Sequence, residues 1–408
     1  MVNARPWLIL ACSALGLSAL LAVLLVLSRA PGVQNYFGLE PFFHTILVLH
    51  VNFAVLVWLL SFVGFVWVLH SSNNNSRFNL GVLGFSILGA LLMLASPFVG
   101  DAQPIMSNYV PIIDSAPFFT GLTLFVVGIS LLAWQVVIGR PWDLIRLSAV
   151  TWFVCLLVMM YHASELKQSE PTDYFEALFW GAGHVLQFVY VLVLWLVWKW
   201  SDAKISLFNQ ASMAVVLVAA MIFTLVFDPN GSASREAFTA LMQWGMILIL
   251  LPMLWYWLRQ AKSSIDISIT ASALLMLLGL IIGLLIRDDT VIVTAHYHAT
   301  NAAVTIAFMG LAYRLVSQFG NLVLPAKMIT SQVILYTFGM VLYVLGMASS
   351  GWLGVPRKTA MTVDDSLERL SMGVMGLGGA ISIVATLIFI AIMLYSFIRQ
   401  QKLAKELK

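Results

Sequence analysis

Charged residues are scarce in this chain. Only 10% of its 408 residues are Asp, Glu, Lys or Arg, against about 25% in soluble globular domains. Together with 61% apolar residues and a mean hydropathy of +0.96, that deficit excludes a water-soluble enzyme and points to an integral membrane protein. Cysteine is nearly absent as well. Cys12 and Cys155 both fall inside apolar runs, so a secreted disulfide framework is excluded, and there is no CxxC or CxxCH motif. No basic block is present and the net charge is only +3, which argues against a nucleic-acid partner. Internal repeats, low-complexity segments and soluble domains are lacking too.

What is abundant is long apolar sequence. A spanning helix needs roughly 20 predominantly apolar residues, and twelve such runs occur: 7–27, 43–69, 80–98, 118–138, 147–164, 174–198, 207–227, 237–258, 267–286, 291–313, 328–350 and 372–398. The first is too long for a cleaved signal peptide, is preceded only by Arg5 and has no small-residue cleavage site after it, so it reads as a span. SSNNNS at 71–76, GRP at 139–141 and DPNG at 228–231 punctuate the runs. The expected fold is all-α: one membrane domain over 1–408, a bundle of twelve transmembrane helices surrounded by membrane lipid.

The few charges orient it. With the N-terminus inside, the even-numbered connections and the C-terminus hold 14 of the 21 basic residues and four of the 18 acids. The opposite side holds seven basic residues and 14 acids. By the positive-inside rule both termini are cytoplasmic, in an inner (plasma) membrane. Every charge fits a loop or a helix end, the deepest being Glu176 at the third position of the sixth span. No mid-membrane ionisable group marks an ion or proton path, and the repeat symmetry and intramembrane charges of a transporter are missing.

Seven histidines remain. His44, His70 and His162 lie at span ends, where surface or interface roles are expected. His50, His184, His296 and His298 instead lie at a common depth on spans 2, 6 and 10, about 8–15 Å below the outer surface at 1.5 Å per residue. Residues two apart on a helix point about 200° apart, so His296 and His298 cannot ligate one metal from the same face. They can serve two cofactors on opposite sides of span 10. The bland alternative is four histidines hydrogen-bonding neighbouring helices, each worth about 0.6 kcal/mol.

With FHTILVLHVNFAVLVW around His50, YFEALFWGAGHVLQ around His184, TAHYHATNAAVTIAFMG around His296 and His298, and GVPRKT at 354–359, the chain resembles subunit I of the haem–copper oxidase superfamily. That superfamily includes cytochrome c oxidases and nitric oxide reductases. The resemblance implies two haems: a low-spin haem with His50 and His298 as axial ligands, and a high-spin haem on His296 whose far face takes a small gas ligand, O2 or NO. It makes His184 a ligand of a non-haem copper or iron, and pairs Arg357 and Lys358 with haem propionates. For those two residues, positive charge on a partly acidic loop (Asp364, Asp365, Glu368) is the alternative.

The sequence also departs from the family's pattern. Span 7 has no histidine; the two expected there fall at about Phe223–Thr224. Gln187 and Thr224 are the nearest neutral donors, and Glu176, two turns from His184, is the nearest carboxylate for a reshaped iron site. Phe188 stands where oxidases often carry a tyrosine, with Tyr190 two residues on, Leu186 stands where proton-pumping members have a glutamate, and span 8 has no lysine. The expected activity is therefore that of an oxidoreductase without proton pumping: a di-haem subunit of a terminal-reductase complex, in which His296 and His184 face the gas. The alternative is a haem-binding electron-transfer or gas-sensing subunit that has lost the non-haem metal. In either case electrons must come from a small subunit or a soluble cytochrome c-type donor docking on the acidic outer face.

Overall fold

A computed structural model describes residues 3–29, 38, 40–71, 76–167, 169–199, 207–259, 266–286, 290–320, 322–355 and 366–406. Lipid offers no hydrogen bonds, so apolar runs of this length close their backbone bonds within helices. The helices are α1 (Arg5–Arg29), α2 (Phe43–Leu69), α3 (Ser76–Ala95), α4 (Ala116–Gly139), α5 (Leu144–Glu165), α6 (Pro171–Trp198), α7 (Leu207–Val226), α8 (Ser232–Arg259), α9 (Ile267–Gly283), α10 (Val291–Gly320), α11 (Ala326–Trp352) and α12 (Ser366–Glu406). Eleven of these described helices are long and apolar enough to cross a membrane. The twelfth, α9, has 17 residues, about 25 Å, at the short end of the spanning range. The protein is a multi-pass, all-α integral membrane protein.

Polar residues fix where helices begin. Asp143 caps α5 by accepting from Arg146 N at 2.9 Å, and Asp266 caps α9 by accepting from Ser268 N at 2.8 Å.

The chain forms two compact units, one of Met1–Ala14 with His44–Leu258 and one of Leu15–Phe43 with Arg259–Lys408. In the first, α3 pairs closely with α4 and α5 with α6; in the second, α9 pairs with α10 and α11 with α12. Helices in lipid associate by close backbone approach rather than by a hydrophobic drive, and two glycines make this explicit. A Cβ on Gly89 of α3 would lie 2.5 Å from the Gly121 carbonyl of α4, and one on Gly346 of α11 would lie 2.5 Å from Met375 N of α12.

Two features of the first unit position its candidate site. Within α2, residues Asn52–Val57 are wound as a π-helix, a widening that disturbs the regular backbone bonds and recurs at functional sites. Tyr190 of α6 donates its hydroxyl to the Val55 carbonyl there at 2.9 Å. Between α3 and α4 lies a hairpin, β1 (Gln103–Ile105) and β2 (Ile112–Asp114), antiparallel with Ile105 opposite Ile112. Its tip is partly buried, with Ser107 3% and Val110 8% exposed and Asn108 and Tyr109 half-buried, unlike most connecting loops, which run over the surface.

Candidate functional site

In the second unit, His296 and His298 leave α10 on different sides, as their two-residue spacing requires. The His296 ring turns to α9, where its Nδ1 lies 2.8 Å from the Gly279 carbonyl. One turn further along α9, a Cβ on Gly283 would come within 2.7 Å of that same Nδ1. The missing side chain at Gly283 therefore leaves room for the imidazole. Because a carbonyl only accepts, Nδ1 carries the proton and Nε2 keeps its lone pair, an assignment that follows from the partners. Among the described residues nothing hydrogen-bonds that Nε2. A metal-ligating histidine is typically held in this way, its second nitrogen donating to a backbone carbonyl or carboxylate.

His298 donates from Nδ1 to the Thr294 carbonyl at 2.8 Å. Its ring packs at 4.9 Å from Tyr297 and 5.0 Å from Tyr343 of α11. His50 sits half-buried on α2, two residues before the π-helical segment. The donor set of His296 fits an axial haem ligand. Arg357 and Lys358, expected at propionates, lie outside the described residues.

In the first unit, His184 of α6 is 4% exposed and enclosed by aromatic rings. Ring centroids of Tyr109, Trp180 and Phe238 lie 5.0, 5.1 and 6.4 Å from its own. Its Nδ1 is 2.6 Å from the Trp180 carbonyl, so Nδ1 is the donor and Nε2 the acceptor. The Tyr109 hydroxyl lies between the two ring nitrogens, 3.0 Å from Nε2 and 3.1 Å from Nδ1. Tyr109 comes from the hairpin tip, reaching a point about 20 Å along α6 from Pro171 at 1.5 Å per residue. Its φ is +64°, a left-handed conformation that is strained for a bulky residue, by about 1–3 kcal/mol. Only glycine at 183 leaves room for its ring, because a Cβ there would collide with Tyr109.

The tip is fastened on two sides. The Glu176 carboxylate accepts from Asn108 N at 2.7 Å and also from Asn108 Nδ2. Asn52, first residue of the π-helical segment, donates from Nδ2 to the Pro111 carbonyl at 2.7 Å.

The neutral residues expected near His184 bond within their own helices. Gln187 Nε2 donates to the Gly183 carbonyl at 3.5 Å, and Thr224 Oγ1 to the Ala220 carbonyl at 2.7 Å. Among the described residues, no group of three or more His, Cys, Asp or Glu side chains could hold a metal ion. The residues around His184 therefore do not fit a non-haem copper or iron, which needs three or four donors.

His162 corrects the sequence expectation. It is not at a surface but 1% exposed, 3.3 Å from the Ala177 carbonyl through Nδ1 and 5.8 Å from the Phe238 ring. Its Nε2 has no hydrogen-bond partner among the described residues. Position near a helix end does not reveal which face is buried. Tyr109 was also missed; the available signal was QPIMSNYVPII, an unusually apolar stretch for a connection between spans.

No family model matches the chain. It is 27% identical to an uncharacterized protein of Rickettsia prowazekii, over 95% of this chain and 94% of that one, and 28% identical to an uncharacterized protein of Aquifex aeolicus, over 77% and 84%. Among solved structures it is similar to a haem–copper terminal oxidase dimer determined by cryo-electron microscopy. The TM-score is 0.60 at 15% identity, covering 95% of this chain and 84% of the other. The chain thus has a haem–copper oxidase-like fold.

Proposed function

We propose that the chain is a subunit I-like, haem-carrying electron-transfer or gas-binding subunit without a non-haem metal. The observation that carries this is His296, fixed by the Gly279 carbonyl at 2.8 Å with its Nε2 lone pair left for a ligand bond. An axial ligand needs an unprotonated Nε2, and the tautomer set by the Gly279 carbonyl supplies it. The low-spin roles of His50 and His298 rest on their span numbers and on the sequence resemblance, as do the propionate roles of Arg357 and Lys358.

A haem held through His296 would supply one-electron redox chemistry and an iron to which O2 or NO could bind. The protein's own contribution is orientation. Gly279 fixes the His296 tautomer, the glycine slot fixes its rotamer, and Thr294 does the same for His298. Electrons enter from a small subunit or a soluble cytochrome c-type donor on the acidic side, where 14 acids outnumber seven basic residues and steer a basic partner. The membrane is the inner (plasma) membrane with both termini cytoplasmic.

A complete terminal reductase using a metal at His184 is less well supported, because Glu176 is engaged by Asn108 and, among the described residues, no set of three His, Cys, Asp or Glu donors converges. The test is a pair of variants read by optical spectroscopy. His50→Ala is expected to abolish the low-spin spectrum and leave a CO-reactive haem, and His296→Ala to do the reverse. Retention of both signals in either variant would refute the ligand assignment.

A further inference from the structure

The connection between α4 and α5 has no part in the haem reading. It is short, running from Gly139 to Leu144, and it is tied into a basic knot. Arg140 donates to the His70 carbonyl and pairs with the Asp143 carboxylate. Asp143 also caps α5 through Arg146 N, so the turn's one acid is engaged on both sides. Arg146 is different. Among the described residues no carboxylate pairs with it, and only one of its guanidinium N–H groups meets an acceptor, Nη1 at 2.8 Å from the Arg140 carbonyl. Its Cζ lies 5.6 Å from the centroid of the Trp142 ring, a contact that places the cation without neutralising it. Below the knot the surface is apolar and open. Trp142, Ile138 and Trp134 are exposed, and the Trp134 ring meets Phe153 of α5 edge-on at 6.3 Å. Phe153 is two turns, about 10 Å, along the same face of α5 from Arg146. A cation held beside an interfacial tryptophan, with an aromatic strip running from it into the bilayer, matches a phospholipid: phosphate above, acyl chain below.

We propose that the α4–α5 turn binds an anionic glycerophospholipid, with its phosphodiester on Arg146 and one acyl chain along Trp134 and Phe153. Charge selects the class. A zwitterionic headgroup carries an ammonium that gains from a carboxylate, and Asp143 is already held by Arg140 and the α5 N-terminus. An anionic headgroup needs only the cation, which a planar guanidinium offers to a phosphate through paired N–H groups. By the positive-inside rule the turn lies on the cytoplasmic side, whose leaflet carries anionic lipids that attract basic residues. The binding does not depend on the haem reading.

The test uses the purified, delipidated full-length chain, titrated in detergent with dioleoyl phosphatidylglycerol and, separately, dioleoyl phosphatidylcholine, with bound lipid counted by native mass spectrometry. Phosphatidylglycerol is expected to bind at least about fivefold more tightly, the worth of one basic residue near an anionic lipid. Arg146→Gln should remove most of that preference. Arg77→Gln, which deletes an exposed cation at the start of α3, should leave it in place. Glycerol phosphate, the same headgroup chemistry without acyl chains, should not displace the lipid. Equal affinity for the two lipids, or equal losses in Arg146→Gln and Arg77→Gln, would overturn the proposal. Displacement by glycerol phosphate would also overturn it, by making Arg146 a site for free phosphate. Photocrosslinking of the wild-type chain with a phosphatidylglycerol carrying an acyl-chain diazirine locates the site without any variant. Cross-links within 134–153, competed by unlabelled phosphatidylglycerol, are expected; cross-links found only elsewhere would overturn the assignment even if Arg146→Gln fails to fold.

Discussion

Gly283→Ala isolates the slot that holds His296, because two opposing effects predict opposite signs. Replacing a helical glycine with alanine ordinarily stabilises by up to about 1 kcal/mol. Here the new Cβ would stand 2.7 Å from His296 Nδ1 and 2.9 Å from its Cε1, well inside van der Waals contact. Relieving that overlap displaces the ring, at about 1–3 kcal/mol for overpacking. It also breaks the 2.8 Å bond to the Gly279 carbonyl, a further loss of about 0.5–1.5 kcal/mol. The net expectation is destabilisation of roughly 1–3 kcal/mol. Gly373→Ala, where a Cβ meets nothing within 4 Å, is the control and keeps only the propensity gain. The assay is denaturation in detergent followed by helicity, with the CO difference spectrum of the reduced protein measured alongside. Gly283→Ala should lower both stability and the CO-reactive signal, while Gly373→Ala lowers neither. A Gly283→Ala protein as stable as the control, with its CO signal intact, would refute the argument that this slot sets the His296 rotamer.

Three other outcomes follow from the same geometry. Tyr190→Phe removes the hydroxyl that donates to the Val55 carbonyl of the π-helical segment. It should cost about 0.5–1.5 kcal/mol in the same denaturation assay, the net worth of one such hydrogen bond. Asn108→Ala should cost about 1 kcal/mol through the lost bond to Glu176, with faster amide exchange confined to the 103–114 hairpin. His70, just beyond the end of α2, has its pKa held below the usual histidine value by burial, assisted by the neighbouring Arg140 charge. The folded protein then binds fewer protons than the unfolded chain as pH falls below about 6.5, so this contribution is complete above that pH and is lost on acidification. His70→Gln should flatten the acid limb of the stability–pH curve.

The spans could be read from sequence because lipid imposes one rule on every crossing segment: enough consecutive apolar residues with the backbone satisfied internally. The opposed directions of His296 and His298 were equally accessible, since helix geometry alone sets them. Which atoms receive the rings was not. Gly279 and Gly283 carry no mark that separates a slot for an imidazole from a packing seam such as Gly89 on Gly121. The hairpin was less accessible still, because its tip is held by residues 59 and 68 positions away in sequence, and neither partner follows from local pattern. The left-handed backbone at Tyr109 is likewise imposed by tertiary contacts; a sequence pattern would place glycine or asparagine there. His162 illustrates the converse, a polar residue near a helix end whose burial depends on which neighbouring helix covers it.

The optical spectrum of the reduced protein with and without CO, taken with a haem count and total copper and iron, tests the central claim most directly. Two haems per chain, one of them CO-reactive, with no copper and no iron beyond the haem iron, is the predicted result. A chain purified without haem, or one whose haems leave CO unbound, would contradict it.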